Sequence, residues 1–172
     1  DQKRLEALAL RVYADKSVQS EIMRTEAYYR RARPAALPDG RKSINSAAEA
    51  LGMASVDYAL AEDPGMTGVM WVFNAPHHWF GLDVPRSGFG IDNPDNVYRH
   101  IALAPGAHYE IHGRIKPPAP AQQTFMLYNS VPGTGTGEMK PDAGAIGGVL
   151  SSEQIKAAPD GPFTLTVASD PS

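Results

Sequence analysis

The side chains best suited to chemistry in this chain lie between His77 and Arg99. His77-His78-Trp79-Phe80 sets two imidazoles beside two large aromatic rings, with Asp83 shortly after. An imidazole titrates near neutrality and a carboxylate can orient it, so the grouping suits acid–base work. Neighbouring residues of an extended chain point apart, so at most one of the two histidines faces a given pocket. Trp79 and Phe80 either line an apolar ligand site or plug the core. Further on, Asp92, Asn93, Asp95 and Asn96 surround Pro94. Their oxygens could hold a cation, although the spacing is not that of an EF-hand. The stronger reading is a tight turn, because Pro presets φ and an Asn side chain can bond the backbone beyond it. Tyr98 and Arg99 follow the turn and add a hydroxyl and a guanidinium. The expected pocket is therefore aromatic and polar. His77 and Asp95 are its candidate catalytic pair, and His78, Trp79, Asn93, Tyr98 and Arg99 are its candidate ligand contacts.

A second candidate is the run His108, Glu110, His112, which alternates along one strand face. Two histidines at i, i+2 can chelate a metal. The outer pair, however, stand about 13 Å apart at strand rise, so a further ligand would be needed, and the solvated face or cavity wall is the better reading. No metal and no cofactor is expected. The chain carries no P-loop, no G-x-G-x-x-G and no G-x-S-x-G.

The elements that must position these groups start with two strand-like runs, 97–104 and 107–115, separated by Pro105-Gly106. A two-residue loop there predicts a hairpin. In its register Tyr98 faces Gly113, His100 faces Ile111 and Ala102 faces Tyr109. That puts Tyr98, Tyr109 and Ile111 on the core side and sets Arg99 diagonal to Glu110, within reach of an ion pair. The ring of Tyr98 would cover the bare backbone of Gly113.

The run Asn93-Pro94-Asp95-Asn96, with Tyr98 two residues later and Tyr109, Gly113 and Arg114 on the next strand, resembles the signature of a bacterial domain-of-unknown-function family, the one numbered 1214. A second match is L-S-S-E-Q-I followed by D-G-P-F-T-L-T-V over 150–167. The resemblance covers the chain from about residue 65 onward. It implies a β-sandwich-like fold and no assigned reaction. The family pattern continues with further strands and a tryptophan-rich segment, whereas this chain stops at Ser172.

Composition bounds the rest. The chain has 172 residues, 42% hydrophobic and 20% charged, ordinary for a soluble globular protein. A net charge of −3 and a pI of about 5.9 give no electrostatic case for nucleic acid or an anionic membrane. There is no cysteine, hence no disulfide or thiolate metal site, and cytosol and periplasm are both compatible. No apolar run approaches the ~20 residues of a membrane span. The chain opens on Asp1 rather than Met, which reads as a processed product or a fragment.

Residues 1–62 read as helical, with Leu5, Leu8, Ala9, Val12 and Tyr13 at helical spacing and a break or re-cap at Asp15 to Ser17. Arg30, Arg31, Arg33, Arg41 and Lys42 bracket Pro34, Pro38 and Asp39-Gly40, which end the first helical region. Basic side chains at a helix C-terminus suit the dipole; an anion or acidic-partner site is the alternative. Ser46 and Glu49 resemble a capping box that opens the next helix. This region is nearly charge-balanced at +1, against −4 for the remainder. Beyond it, Val69 to Phe73 reads as a strand buried on both sides, and Thr124 to Val131, Gly148 to Leu150 and Phe163 to Val167 as further strands. Pro132 to Gly148 reads as a glycine-rich excursion. Ser151 or Ser152 could cap a helical turn running to Lys156.

The expectation is thus α+β: two N-terminal helices over 1–62, then an antiparallel sandwich-like, jelly-roll-like sheet over 63–172 that lacks a closing partner. An edge strand at 163–167 invites pairing with a second copy or a second polypeptide. Three functions follow: a small-molecule binding module, an enzyme using the same pocket, or a structural subunit joined through its β edge.

Overall fold

A computed structural model describes residues 2–63, 65–66, 68–89, 93, 95–128, 146–155 and 160–168. Asp92, Pro94, the glycine-rich excursion up to 145 and the end of the expected helix at Lys156 lie outside the described residues. The chain forms two compact units, 1–102 and 103–172. The protein is α+β, its described strands forming four two-stranded antiparallel sheets with no closed barrel among them.

The first unit starts with α1 (Gln2–Tyr13) and α2 (Lys16–Tyr29). They separate where expected: Asp15 is extended, and its Oδ1 accepts from the Ser17 amide at 2.8 Å and the Ser17 hydroxyl at 2.5 Å. A short 3₁₀ turn, Arg33–Ala36, leads into α3 (Pro38–Ala61). Three helices therefore precede the first strand, not two. The expected capping box at Ser46 is also corrected. Pro38 occupies the first helical position, where its missing N–H costs nothing, and Asp39 suits the positive end of the helix. Ser46 lies inside α3 and donates back to the Ser43 carbonyl at 3.0 Å. Gly40 belongs to the helix rather than to a terminating turn, and a Cβ there would sit 1.9 Å from the Pro34 carbonyl oxygen. At Gly52, α3 likewise makes room for the Ile22 side chain of α2.

Four short strands complete this unit: β1 (Met70–Val72), β2 (His77–Trp79), β3 (Leu82–Val84) and β4 (Tyr98–His100). β2 and β3 form a hairpin turning through Phe80 and Gly81, at φ 52° and 76°. Two left-handed residues in succession match the twist of the strands they join. β1 alternates: Met70 and Val72 are fully buried and Trp71 is half-buried. The expectation of a strand buried on both sides is therefore corrected, because only one face of this two-stranded sheet meets the core. That core joins Leu5 and Ala9 of α1, Met53, Val56 and Ala61 of α3, and Met70, Val72 and Val84 of the strands.

The expected hairpin across 105–106 does not form. The turn is present, with Gly106 at φ 73° and Ala107 donating to Ala104 at 3.2 Å. Its flanking strands pair elsewhere. β4 runs antiparallel to β1, setting Tyr98 opposite Val72 and His100 opposite Met70. The physical reason is the apolar face these residues find there against α3. Arg99 stands opposite Trp71, and the Glu110 carboxylate lies 3.3 Å from His112 Nε2, so each has a neighbour other than the expected ion-pair partner.

The second unit contains β5 (Tyr109–Arg114), β6 (Thr124–Tyr128), β7 (Ile146–Ser151), the single turn α4 (Ser152–Ile155) and β8 (Pro162–Val167). β5 pairs with β8, and β6 pairs with β7. Tyr109 and Ile111 are half-buried and alternate with exposed Glu110 and His112. The ring over Gly113 belongs to Phe163 rather than to Tyr98: a Cβ on Gly113 would lie 2.1 Å from the Phe163 ring. Phe125 meets the same ring edge-on at 5.9 Å. No described residue of this unit is fully buried, and β8 is paired on one side only among the described residues. No helix among the described residues is long and apolar enough to cross a membrane.

Candidate functional site

The face of β1 turned away from the core carries the most concentrated chemistry of the first unit. Trp71 stacks on His77 with ring centroids 4.9 Å apart and meets Trp79 edge-on at 4.8 Å. The β2–β3 hairpin presents His77 and Trp79 on one side, and Phe80 at its tip lies 5.0 Å from Trp79. Arg99 is directly opposite Trp71 in the strand register, so the exposed guanidinium shares this face.

Beneath the rings sits Glu6, only 2% exposed, on α1. Its carboxylate accepts from the Trp79 indole N–H and from the Gln2 side-chain amide at 3.0 Å, and it lies 3.4 Å from His77 Nε2. His77 Nδ1 lies 2.9 Å from the Ala75 carbonyl oxygen. Both ring nitrogens therefore face protein oxygens. A buried carboxylate paired in this way anchors both His77 and Trp79.

The other expected residues are spread along this unit. His78 points the opposite way from His77 and pairs with Asp83 at 2.7 Å, both well exposed. Asn93 Oδ1 accepts from the Asp95 amide at 3.0 Å, which closes the turn the sequence predicts. The Tyr98 hydroxyl accepts from the Asn93 amide and from the Asn96 side chain, each at 3.2 Å. Asp95 is exposed in this turn, and the carboxylate that meets His77 is that of Glu6. The structure thus brings His77, Trp79 and Arg99 to one face and groups Asn93, Asp95 and Tyr98 around the turn. Tyr98 also joins a second ring cluster: Phe73 lies 5.5 Å from Tyr98, 5.2 Å from Tyr58 and 5.1 Å from Phe89. His100 packs edge-on against Tyr58 at 4.8 Å, and burial lowers its pKa.

Sequence reasoning passed over Glu6, Trp71 and a buried polar set around Asp57. Asp57 is 2% exposed on α3 and hydrogen-bonds Ser87. Burial lifts its carboxyl to about 7; the Ser87 hydrogen bond acts against that shift and the Glu6 charge adds to it. The Ser87 hydroxyl accepts from the Asn74 amide at 3.2 Å, and the Ser87 amide donates to the Asn74 carbonyl at 3.0 Å. Asp57 Oδ2 and Asn74 Oδ1 have no hydrogen-bond partner among the described residues. One signal was present: Asp57 is the only charged residue between Ala50 and Ala61 of an otherwise largely apolar helix. Among the described residues, no three His, Cys, Asp or Glu side chains are placed to hold a metal ion.

A surface hollow of about 550 Å³ lies elsewhere in this unit, along α2, with Arg24, Tyr28 and Arg31 in its wall. In comparisons with known proteins, no family model, no curated protein and no solved structure matches this chain.

Proposed function

We propose that the chain is a small-molecule binding module whose ligand is planar and carries an anionic group. One observation carries this reading: Trp71 and Trp79 meet on one face with His77 stacked between sheet and hairpin, and Arg99 stands opposite Trp71. Rigid aromatic faces stack a planar ligand at low entropic cost, and a guanidinium pairs with a carboxylate or phosphate. The Glu6 anchor supports the reading, because it holds two of the rings in place before any ligand arrives. The acid–base alternative has less behind it, since both nitrogens of His77 already face protein acceptors.

The chain's only two tryptophans are the two on this face, so their emission reports on it alone. Titration with a panel of planar aromatic carboxylates and phosphates should quench or shift that emission for at least one class. Arg99→Ala should weaken the same ligand by about tenfold, the cost of one lost charge-assisted hydrogen bond. An emission spectrum indifferent to the whole panel, or a ligand indifferent to Arg99, would refute the proposal.

A second reading concerns the other unit. Among the described residues its ribbons are paired on one side only, and Met126, Val149 and Ile146 are 49%, 55% and 52% exposed. This supports a sandwich-like sheet completed by another polypeptide or a second copy through β8, in keeping with the resemblance to the 1214 family. A native mass equal to one chain at high concentration would count against it.

A further inference from the structure

The basic cluster between α2 and α3 is not used by the site above. Its placement argues for a purpose beyond helix stability. Arg30 caps the C-terminal end of α2, where a cation suits the dipole. Arg41 and Lys42 do not fit that account: they lie in the first turns of α3, at its positive end. The stretch 30–42 holds five basic residues and one acidic residue in a chain of net charge −3. Lys42 reaches Asp39 at 3.8 Å, and Arg30 reaches Glu26 at 3.4 Å and Asn45 at 3.2 Å. Arg31, Arg33 and Arg41 are exposed and make no ion pair among the described residues.

Apolar side chains stand among these cations. Leu37, at the bend between the 3₁₀ turn and α3, is 64% exposed; Tyr28 is 70% exposed. The bend is firmly built. The Leu37 amide donates to Pro34 at 3.0 Å, the Arg41 amide donates to Leu37 at 3.0 Å, and Gly40 lets the chain pass against the Pro34 carbonyl. Arg41 and Asn45 fall at i, i+4 on one face of α3, just beyond Leu37 at its N-cap, and Arg30 reaches across to Asn45. Arg24 and Tyr28 of α2, with Arg31 just past its end, wall the 550 Å³ hollow; Glu21 lines it too and pairs with Arg24 at 2.6 Å, which leaves Arg31 as the uncompensated cation there among the described residues.

We propose that this elbow docks the protein peripherally on an anionic phospholipid surface. Leu37 and Tyr28 enter the interface, and Arg31, Arg33 and Arg41 meet lipid phosphates. Charge complementarity selects the partner class, and the apolar residues select among polyanions. A nucleic acid backbone would take the arginines but would leave Leu37 without a role. At an interface, the apolar residue and the cations act together. The acidic balance elsewhere in the chain favours docking by this elbow over other faces.

The test is co-sedimentation of the whole chain with vesicles of phosphatidylcholine alone and of phosphatidylcholine mixed equally with phosphatidylserine. Binding is expected only to the mixed vesicles and should fall as salt is raised. Each basic side chain near an anionic leaflet contributes about fivefold, so Arg31→Ala/Arg33→Ala/Arg41→Ala should weaken binding on the order of a hundredfold. Leu37→Ser should weaken it roughly tenfold without changing charge. All four residues are exposed, so the variants should keep the parent's circular dichroism. Three results would overturn the proposal: no binding to mixed vesicles, binding unchanged in both variants, or tighter binding to a single-stranded oligonucleotide at the same salt.

Discussion

Asp57 and Glu6 are both buried carboxyls, yet they sit in different surroundings. Glu6 is met by Gln2, His77 and Trp79, whereas Asp57 has Ser87 and one oxygen without a partner among the described residues. Burial therefore lifts the Asp57 carboxyl from 3.8 to about 7. The folded chain holds this proton more tightly than the unfolded chain does, so stability is highest below the unfolded value. It falls as pH rises from about 4 to about 7, and the cost is fully present above that. Three pH units correspond to roughly 4 kcal/mol. Chemical denaturation across this window should show the decline, and Asp57→Asn should flatten it and be the more stable protein at pH 8. Removing the other acid acts in the opposite sense. Glu6→Ala leaves a half-buried indole N–H and a half-buried imidazole without their acceptor, and should cost about 2 kcal/mol. The same variant should alter the emission of Trp79. Asp57 could have been noticed as the one charge in its stretch of helix. Glu6 could not, because His77 and Trp79, the partners that tie it to the ring face, lie more than seventy positions away.

At the scale of elements, local signals and pairing partners part company. The Asp15 cap, the Asn93–Asp95 turn, the 105–106 turn and the alternation of β5 and β8 each depend on residues close in sequence, and all were legible. Which strand lies beside which depends on where an apolar face finds cover. Tyr98 and His100 found it with Met70 and Val72, so β4 joined the helical unit and β5 paired with a strand fifty residues distant. Gly113 shows the outcome in one residue. Its missing side chain was readable as a place for a ring, but the ring is that of Phe163. Gly113→Ala would put a methyl group 2.1 Å from that ring, so Phe163 must move. A loss of about 2 kcal/mol is expected, together with loss of the β5–β8 amide protection in hydrogen exchange.

At the scale of the whole molecule, the buried residues are unevenly shared. Every fully buried apolar side chain named in the core belongs to residues 1–102, and the described part of 103–172 has none. A fragment ending at Ala102 is expected to unfold cooperatively on heating, as followed by circular dichroism. A fragment of 103–172 alone should show no comparable transition unless a partner covers its ribbons. What the sequence determined by itself is the set of short-range features: helices in the first third, caps, turns, strand alternation, and a cluster of His, Trp and Arg with chemical potential. Tertiary structure alone decided that Trp71 and Glu6 complete that cluster, that His78 leaves it, and that two ribbons replace one expected hairpin. Caps and turns are satisfied by neighbours along the chain, whereas burial and strand pairing are settled by competition among segments far apart.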